Sequence, residues 1–489
     1  MVAPVVADFQ LHRASLCKAR SGYQMLNPIS ERIAARIEGA LGPRGLVEGE
    51  AVAPHAPYGV PASQALHMAR PSSTAEVAHV LRICAEERIG VVPLGGATGF
   101  VGGTRAPQGT LLLSMARMNT IRAIEPANGC IEVEAGCLLA NAQAAAMDAS
   151  MSLSLSFGAE GSAQIGGALA TNAGGFRALR FGSARDICLG IEAVTSDGAI
   201  WNGLRKVRKD NTGYDLKHLL IGSEGTLAVI CAAVLRLDPK PVQRICAVVA
   251  LQSEGVTIGL LRQLQGAGAV VSAFELFGEG GLALALEDGS AMAPVNVDAA
   301  AHALIEIDAD AGSRSLLEAT LAKALESGII SDAVVAQSEA QRARFWQLRE
   351  ATTDGIGRAG WIASADVSVP LGELAAYLSD IREGLKQEAG AARFIAYGHA
   401  GDGNLHLNLL PAKGETPEQA PVGLDARFYR LCYSQAMRRS GSFSAEHGIG
   451  RTKMSALAHY LDPVELALMK SVKHALDPLG IMNPGVIID

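Results

Sequence analysis

The amino-acid sequence predicts an α+β chain divided into at least two domains. Three observations carry that expectation. Through the first half, short apolar strands alternate with helical periodicities and are punctuated by glycine-rich loops. From about residue 244 the pattern changes to strand, helix, strand, strand, helix, strand. At 489 residues the chain also exceeds what one hydrophobic core usually organises.

Bulk composition narrows the function classes. Hydrophobic residues make up 49% of the chain and charged residues 19%, enough apolar material for sizeable cores. A net charge of −7 argues against a nucleic-acid binder. No apolar run approaches the length of a membrane span, so no transmembrane segment is expected. The eight cysteines are scattered without a C-x-x-C pair, which indicates neither a thiolate zinc site nor a disulfide framework. A reducing compartment fits, and the expected location is cytoplasmic, or the mitochondrial matrix in a eukaryote. The first 25 residues carry Arg, Lys and Ser, with no signal-peptide apolar region behind them. The 54 glycines cluster in short loops, as they would where backbone repeatedly approaches a large cofactor.

Taken in order, Asn27-Pro28 reads as an N-cap and first helical position, with Ile29, Ile33 and Ile37 continuing at helical spacing. A second helix is expected from Ser73, with Glu76 completing a capping box, as far as Gly90. The strand VVPL leads into GGATGFVGGT at 95–104. That loop has neither the Rossmann nor the Walker spacing. Its closely spaced glycines could present backbone N–H groups to a pyrophosphate, or could form an ordinary glycine-rich turn. GAEGSAQIGGALATNAGG (158–175) and RFGSARD (180–186) follow. LGIEAVTSDGAIWNG reads as a hairpin turning at Asp197-Gly198. RKVRKDNTGYDLKHLLIGSEGTLAVI closes the region. Separate glycine loops between strands and helices imply an α+β domain wrapped around an extended cofactor.

In the second half ICAVVALQ, VSAFELF and ALIEID read as strands, and GVTIGLLRQLQ and SRSLLEATLAKALESG as helices. This order is ferredoxin-like. SEAQRARFWQLREATTDG (338–355) is an Arg-rich helix with Arg349 and Thr353 on one face. Gly355, Gly357 and Gly360 satisfy G-x-G-x-x-G but follow a helix, not a strand, so they read as a helix end and loop. SADVSVP (364–370) is a short strand ended by Pro370. DPVELALMKSVKHALDP (462–478) is the last helix, followed by IMNPGVIID.

The chemistry concentrates at 398–408, Gly-His-Ala-Gly-Asp-Gly-Asn-Leu-His-Leu-Asn. The Asp-Gly turn joins two alternating strands. His406 and Asn408 share a strand face, and the turn can bring His399 opposite them. GSFSAEHGIG supplies Glu446 and His447 forty residues on. Two histidines and a carboxylate form a common divalent-metal set, although a polar hairpin tip with unrelated histidines has the same sequence. His218 and His302 lack partners at useful spacing and read as surface or packing residues.

Together these motifs resemble the flavin-dependent D-2-hydroxyacid dehydrogenases of the vanillyl-alcohol-oxidase superfamily, over nearly the whole chain from about residue 60. The resemblance implies a PCMH-type FAD-binding domain followed by a ferredoxin-like, FAD-linked oxidase C-terminal domain that binds substrate. The corresponding division is an N-terminal helical segment at 1–60, the FAD-binding domain at 61–240, the substrate domain at 241–440, and a C-terminal segment at 441–489 packing back near the FAD. It further implies that Pro93, Gly95, Gly96, Thr98, Gly99 and Gly102 hold the FAD pyrophosphate region. Gly158, Ser162, Gly166, Asn172, Gly175, Glu224 and Gly225 would line the rest, with Asn483 near the ring. The first glycine loop holds no histidine or cysteine, so a covalent flavin link there is not expected. His399, His406 and Glu446 would bind a divalent metal, zinc ahead of manganese. Asn408 and His447 would face substrate and flavin, and Arg349 and Thr353 match substrate-contacting positions.

The RKDNTGYDLKHLLIGSEGT run is most similar to the D-2-hydroxyglutarate branch, with D-lactate and glycolate dehydrogenases as cousins. That branch has a lysine where this chain has Ser364. Loss of a cation weakens the case for a dicarboxylate and favours a D-2-hydroxy monocarboxylate such as lactate or mandelate, held by Arg349. D-2-hydroxyglutarate is the alternative, unless a basic residue from elsewhere replaces the lysine. In either case Arg349 positions the substrate and His447 is the expected base. His447 could instead be a ligand or structural, and Arg349 a solvated helix residue. An electron acceptor such as electron-transfer flavoprotein, a quinone or a cytochrome is implied, and a homodimer is possible. Rival readings are an FAD oxidase, an alkyl-transfer relative, a metal hydrolase, or a non-catalytic subunit of a flavin complex. A hydrolase would leave the glycine loops idle.

Overall fold

The computed structural model describes residues 26–49, 63–289 and 292–488. Much of the N-terminal segment expected at 1–60, including its first 25 residues and Cys17, lies outside the described residues. The described chain forms two compact units. The first holds residues up to 175, then 181–240, and then 446 onward. The second holds 241–445 together with an excursion, Phe176–Arg180, taken from the middle of the first.

The first unit contains two main sheets. β1 (Leu46–Glu48), β2 (His67–Ala69), β3 (Val91–Leu94) and β4 (Leu111–Ser114) form one of them in the order β1-β2-β4-β3. β2 and β3 both run parallel to β4. β5 (Ile121–Glu125), β6 (Cys130–Glu134), β8 (Cys188–Thr195), β9 (Ile200–Gly203) and β10 (Ala228–Arg236) form an antiparallel sheet ordered β5-β6-β10-β8-β9. The short β7 (Met151–Ser152) pairs with β11 (Asp238–Pro239).

The helix expected from Asn27 starts later, at Glu31, because Ser30 accepts from the Ile33 N–H. Asn27 instead donates its side chain to the Glu87 carbonyl. Ile33 and Ile37 are buried as the spacing requires. The helix Thr74–Glu87 is capped by Ser73, as expected. The Glu76 carboxylate reaches past that cap to Ser72, and the helix stops at Arg88 in the left-handed region. β8 and β9 form the expected hairpin around Asp197-Gly198.

The C-terminal chain completes this unit. The helix Pro463–Leu476 begins at the Asp462 cap with proline at its first position. Lys473, 5% exposed, donates to the carbonyls of Thr226 and Met482 and to the Asp477 carboxylate at 2.5 Å. Asp477 accepts in turn from the N–H groups of Ile481 and Met482. This buried pair lays Ile481–Asn483 alongside β3, with Val91 bonded to both Ile481 and Asn483.

The second unit is built on one seven-stranded antiparallel sheet. Its strands are β12 (Gln243–Leu251), β13 (Val271–Phe277), β14 (Ala301–Ala309), β15 (Ile330–Val335), β16 (Ala363–Ser368), β17 (Arg393–Gly398) and β18 (Asn404–Leu410). The order is β15-β12-β14-β13-β17-β18-β16. The first four strands, with helices Thr257–Gly266 and Ser313–Glu326, give the ferredoxin-like arrangement expected from the sequence. β17, β18 and β16 extend that sheet beyond β13.

The long helix Glu339–Ala359 runs further than expected. Gly355 and Gly357 lie inside it, and Gly360 follows its last residue. A Cβ on Gly355 would come 2.8 Å from the Leu284 carbonyl oxygen. The glycine therefore allows close contact with the short helix Gly281–Leu286, and its role is packing, not phosphate binding.

Candidate active site

Two sets of functional side chains emerge, one in each unit. In the second unit they gather where β13, β17 and β18 meet. β17 pairs with β18 so that Tyr397 faces His406 and Ile395 faces Asn408. β16 adds Asp366 opposite His406 and Ser364 opposite Asn408. Directly paired residues share a sheet face, so Ser364, Asp366, Tyr397, His406 and Asn408 all project to one side. His399 lies just past the end of β17, and its ring centroid is 5.4 Å from that of His406. The hairpin geometry expected from the sequence is therefore present.

Glu275, absent from the sequence expectations, organises this corner. It sits fully buried in β13, and its Oε1 is 2.7 Å from His399 Nδ1. Its Oε2 accepts from Arg349 Nε at 2.8 Å. Burial alone would raise the carboxyl pKa. His399 and Arg349 outweigh that and hold it at about 2. Asp366, also buried, accepts from Asn404 and lies 3.6 Å from His406 Nδ1. Each histidine of the pair thus has a buried carboxylate on its Nδ1 side.

Arg349 comes from the long helix and is 6% exposed, so it is not the solvated helix arginine of the rival reading. It donates to Thr353 Oγ1, which also meets the Tyr397 hydroxyl at 3.3 Å. Its guanidinium carbon lies 5.2 Å from the centroid of the Phe176 ring and 4.9 Å from that of Tyr397. Phe176 also meets His399 edge-on at 5.5 Å. The excursion that carries Phe176 is anchored by ion pairs from Arg180 to Asp308 and from Arg177 to the buried Glu306. Asn408 is 3% exposed, and its Nδ2 has no hydrogen-bond acceptor among the described residues. A buried amide donor without a partner fits a site completed by a bound group. Ser364 is exposed, and its N–H donates to the Tyr429 hydroxyl. His302 is a packing residue, with Nε2 against the Asn296 carbonyl and its pKa lowered by burial. His218 is exposed.

The first unit brings the expected cofactor residues together through backbone geometry. Gly96 lies against Ser162, and an added Cβ would be 2.1 Å from the Ser162 carbonyl oxygen. Gly95 abuts Gly167. Gly166 packs on Ala135 and Gly225 on Pro93. Gly102 is in the left-handed region, and Gly175, at φ 132°, adopts a conformation that L-residues rarely take. Gly99 and Gly158 face open space, Ser162 is exposed and Thr98 half-buried.

Three polar residues with positive φ serve as brackets. Asn172 accepts from Ser183 Oγ and the Arg185 N–H. The Glu224 carboxylate accepts from the N–H groups of Ile449 and Gly450, while burial pushes its pKa up. Asn483 donates to the carbonyls of Gly103 and Glu224. The side-chain oxygens of Gln164 and Asn483 are buried with no donor among the described residues. Open glycine loops beside two buried acceptors without a protein donor fit a large cofactor that carries hydrogen-bond donors. Glu446 lies near Gly174, where an added Cβ would be 3.1 Å from its Oε1. The His447 ring is 4.7 Å from that of Phe100 in the first glycine loop.

Residues 65–203 match a family described as FAD binding domain, and residues 240–487 match FAD linked oxidases, C-terminal domain. The chain is 37% identical over 425 residues to a mitochondrial D-2-hydroxyglutarate dehydrogenase of Arabidopsis thaliana, covering 85% of this chain and 74% of that protein. It is 37% identical over 418 residues to the mitochondrial D-2-hydroxyglutarate dehydrogenase of Bos taurus, covering 85% and 75%. A D-2-hydroxyglutarate dehydrogenase of Xanthomonas citri pv. viticola is 36% identical over 427 residues, covering 87% and 89%. Among solved structures, p-cresol methylhydroxylase with substrate bound gives a TM-score of 0.73 at 16% identity, covering 95% of this chain and 99% of that one. An alkyldihydroxyacetonephosphate synthase gives 0.69 at 15%, covering 95% and 87%. At those identities the solved structures establish a shared fold alone. No helix among the described residues is long and apolar enough to cross a membrane.

Proposed function

This chain belongs to the FAD-linked D-2-hydroxyacid dehydrogenases, and from that premise we propose that it oxidises D-2-hydroxyglutarate to the corresponding 2-oxoacid. Relatives named for that substrate at 33–37% identity support the dicarboxylate over the monocarboxylate expected from Ser364. Ser364 removes one cation from the strand face beside Asn408, so the distal carboxylate requires another donor. The observation that carries the reading is Arg349: a buried guanidinium fixed by Glu275 and Thr353 and packed against the Phe176 and Tyr397 rings.

Arg349 clamps the C1 carboxylate, since a rigid guanidinium matches carboxylate geometry and its rotamer is already paid for by packing. Thr353 and Asn408 bond the same end of the substrate and help present its α-hydrogen to the flavin. FAD, when bound, accepts the hydride. His399 and His406 would supply two imidazole ligands to a divalent metal, zinc ahead of manganese. The third ligand named by the resemblance, Glu446, is carried by the first unit. With Nδ1 against Glu275, His399 would offer Nε2 to such a metal. A metal held there would supply Lewis acidity toward the substrate hydroxyl. His447 takes the hydroxyl proton as general base. A separate acceptor, with electron-transfer flavoprotein, a quinone and a cytochrome as the classes to assay, reoxidises the flavin.

The test is a comparison of kcat/KM for D-2-hydroxyglutarate, D-lactate and D-mandelate with an artificial acceptor. The expected order places D-2-hydroxyglutarate first by about tenfold or more, the scale of one added charge-assisted contact. A monocarboxylate in first place would restore the reading drawn from Ser364.

A further inference from the structure

Glu275 touches two groups that the proposed reaction uses for different purposes. One of its oxygens meets His399 and the other meets Arg349. It lies fully buried in β13, a strand whose residues are all buried. A buried ion pair seldom adds much net stability over a well-packed apolar replacement, so stability is a weak reason for this carboxylate. Its geometry gives a better one. On His399 it fixes the ring and its tautomer, a carboxylate's usual role behind a ligating imidazole. On Arg349 it accepts from Nε, which fixes the orientation of the guanidinium plane.

One carboxylate cannot move toward either partner without changing its bond to the other. We infer that Glu275 is a positioning residue that couples the substrate clamp to the metal ligand, so that a change at Arg349 is felt in metal affinity at His399. This inference rests on the reading of Arg349 as the clamp and His399 as a ligand. Phe176 and Tyr397 support the coupling by packing their rings within 5.2 Å and 4.9 Å of the guanidinium.

The experiment measures Zn2+ affinity of the full-length FAD-loaded protein by competition with a chromophoric chelator. His399→Ala is measured first and is expected to weaken Zn2+ binding. Glu275→Gln, which preserves shape, is expected to weaken it about 10–100-fold, the range for a lost carboxylate behind a metal ligand. Arg349→Lys is expected to alter Zn2+ affinity in the native background and to leave it unchanged in the Glu275→Gln background. Thermal melting and FAD content establish that each variant is folded. Unchanged affinity in Glu275→Gln, or an equal Arg349→Lys effect in both backgrounds, would overturn the coupling while leaving His399 as a ligand. Unchanged affinity in His399→Ala would remove the metal reading itself and the coupling with it. Should Glu275→Gln fail to fold, Arg349→Lys alone decides, because unchanged Zn2+ affinity there excludes transmission through the carboxylate.

Discussion

The two units build their candidate sites by opposite means. The first relies on backbone: glycines that let one loop lie on another, and Asn172, Glu224 and Asn483 held at positive φ by their own hydrogen bonds. The second relies on buried charge: Glu275 and Glu306, on adjacent strands and both fully buried, pair with Arg349 and His399 and with Arg177 and Arg342 respectively. A backbone site suits a cofactor that stays. Its contacts are numerous, individually weak and fixed before binding. A charged site suits a substrate that must be oriented by one end and then released. A steric fault should therefore break the first unit's function outright, and a charge fault should degrade the second by a measurable factor.

The largest expected effect is steric. Gly96→Ala places a Cβ 2.1 Å from the Ser162 carbonyl oxygen, which neither backbone can accommodate without moving. FAD content of the purified protein should fall from near stoichiometric to near zero, measured by flavin absorbance against protein. Full flavin occupancy in this variant would contradict the cradle.

The next effect is electrostatic. Arg349→Ala leaves Glu275 buried with one cation removed, a change of about 3–5 kcal/mol for broken buried pairs. The kcat/KM for the D-2-hydroxyacid should drop by roughly 10²–10⁴ while FAD content is retained. Loss of flavin with activity would mean that the two units are not separable in this way.

A smaller change sharpens the contrast from the other side. Lys473→Met strips the buried Asp477 of its cation in the first unit, where that pair braces the Ile481–Asn483 segment. Thermal stability should fall by about 3 kcal/mol. At a temperature where the variant is folded, kcat/KM should stay within about twofold of the native value. A kinetic loss as deep as that of Arg349→Ala would blur the distinction.

The same contrast decides what the sequence disclosed. The glycine loops at 95–104 and 158–175 were legible because close backbone approach leaves a residue-level mark. The ferredoxin-like order was legible because strand and helix periods differ. The His399–His406 hairpin was legible because Asp402-Gly403 forces a turn. Glu275 was not, because a single acidic residue in VSAFELF looks like a break in an apolar strand. The usable signal was that glutamate is almost never buried without a partner. The excursion at Phe176–Arg180 was hidden because its partners, Glu306 and Asp308, lie far along the chain. The Asn27 cap was misplaced because Ser30, three residues on, competes for the same role and has the usable amide partner in Ile33. Gly355 mimicked a phosphate motif and serves helix packing.

The central claim is that a D-2-hydroxyacid delivers a hydride to the flavin. Anaerobic titration of the purified protein, followed at the flavin absorbance, tests it most directly. D-2-hydroxyglutarate should bleach the flavin fully within one equivalent or a few, and L-2-hydroxyglutarate should leave the spectrum unchanged. Equal bleaching by both isomers, or none by any D-2-hydroxyacid, would contradict the account.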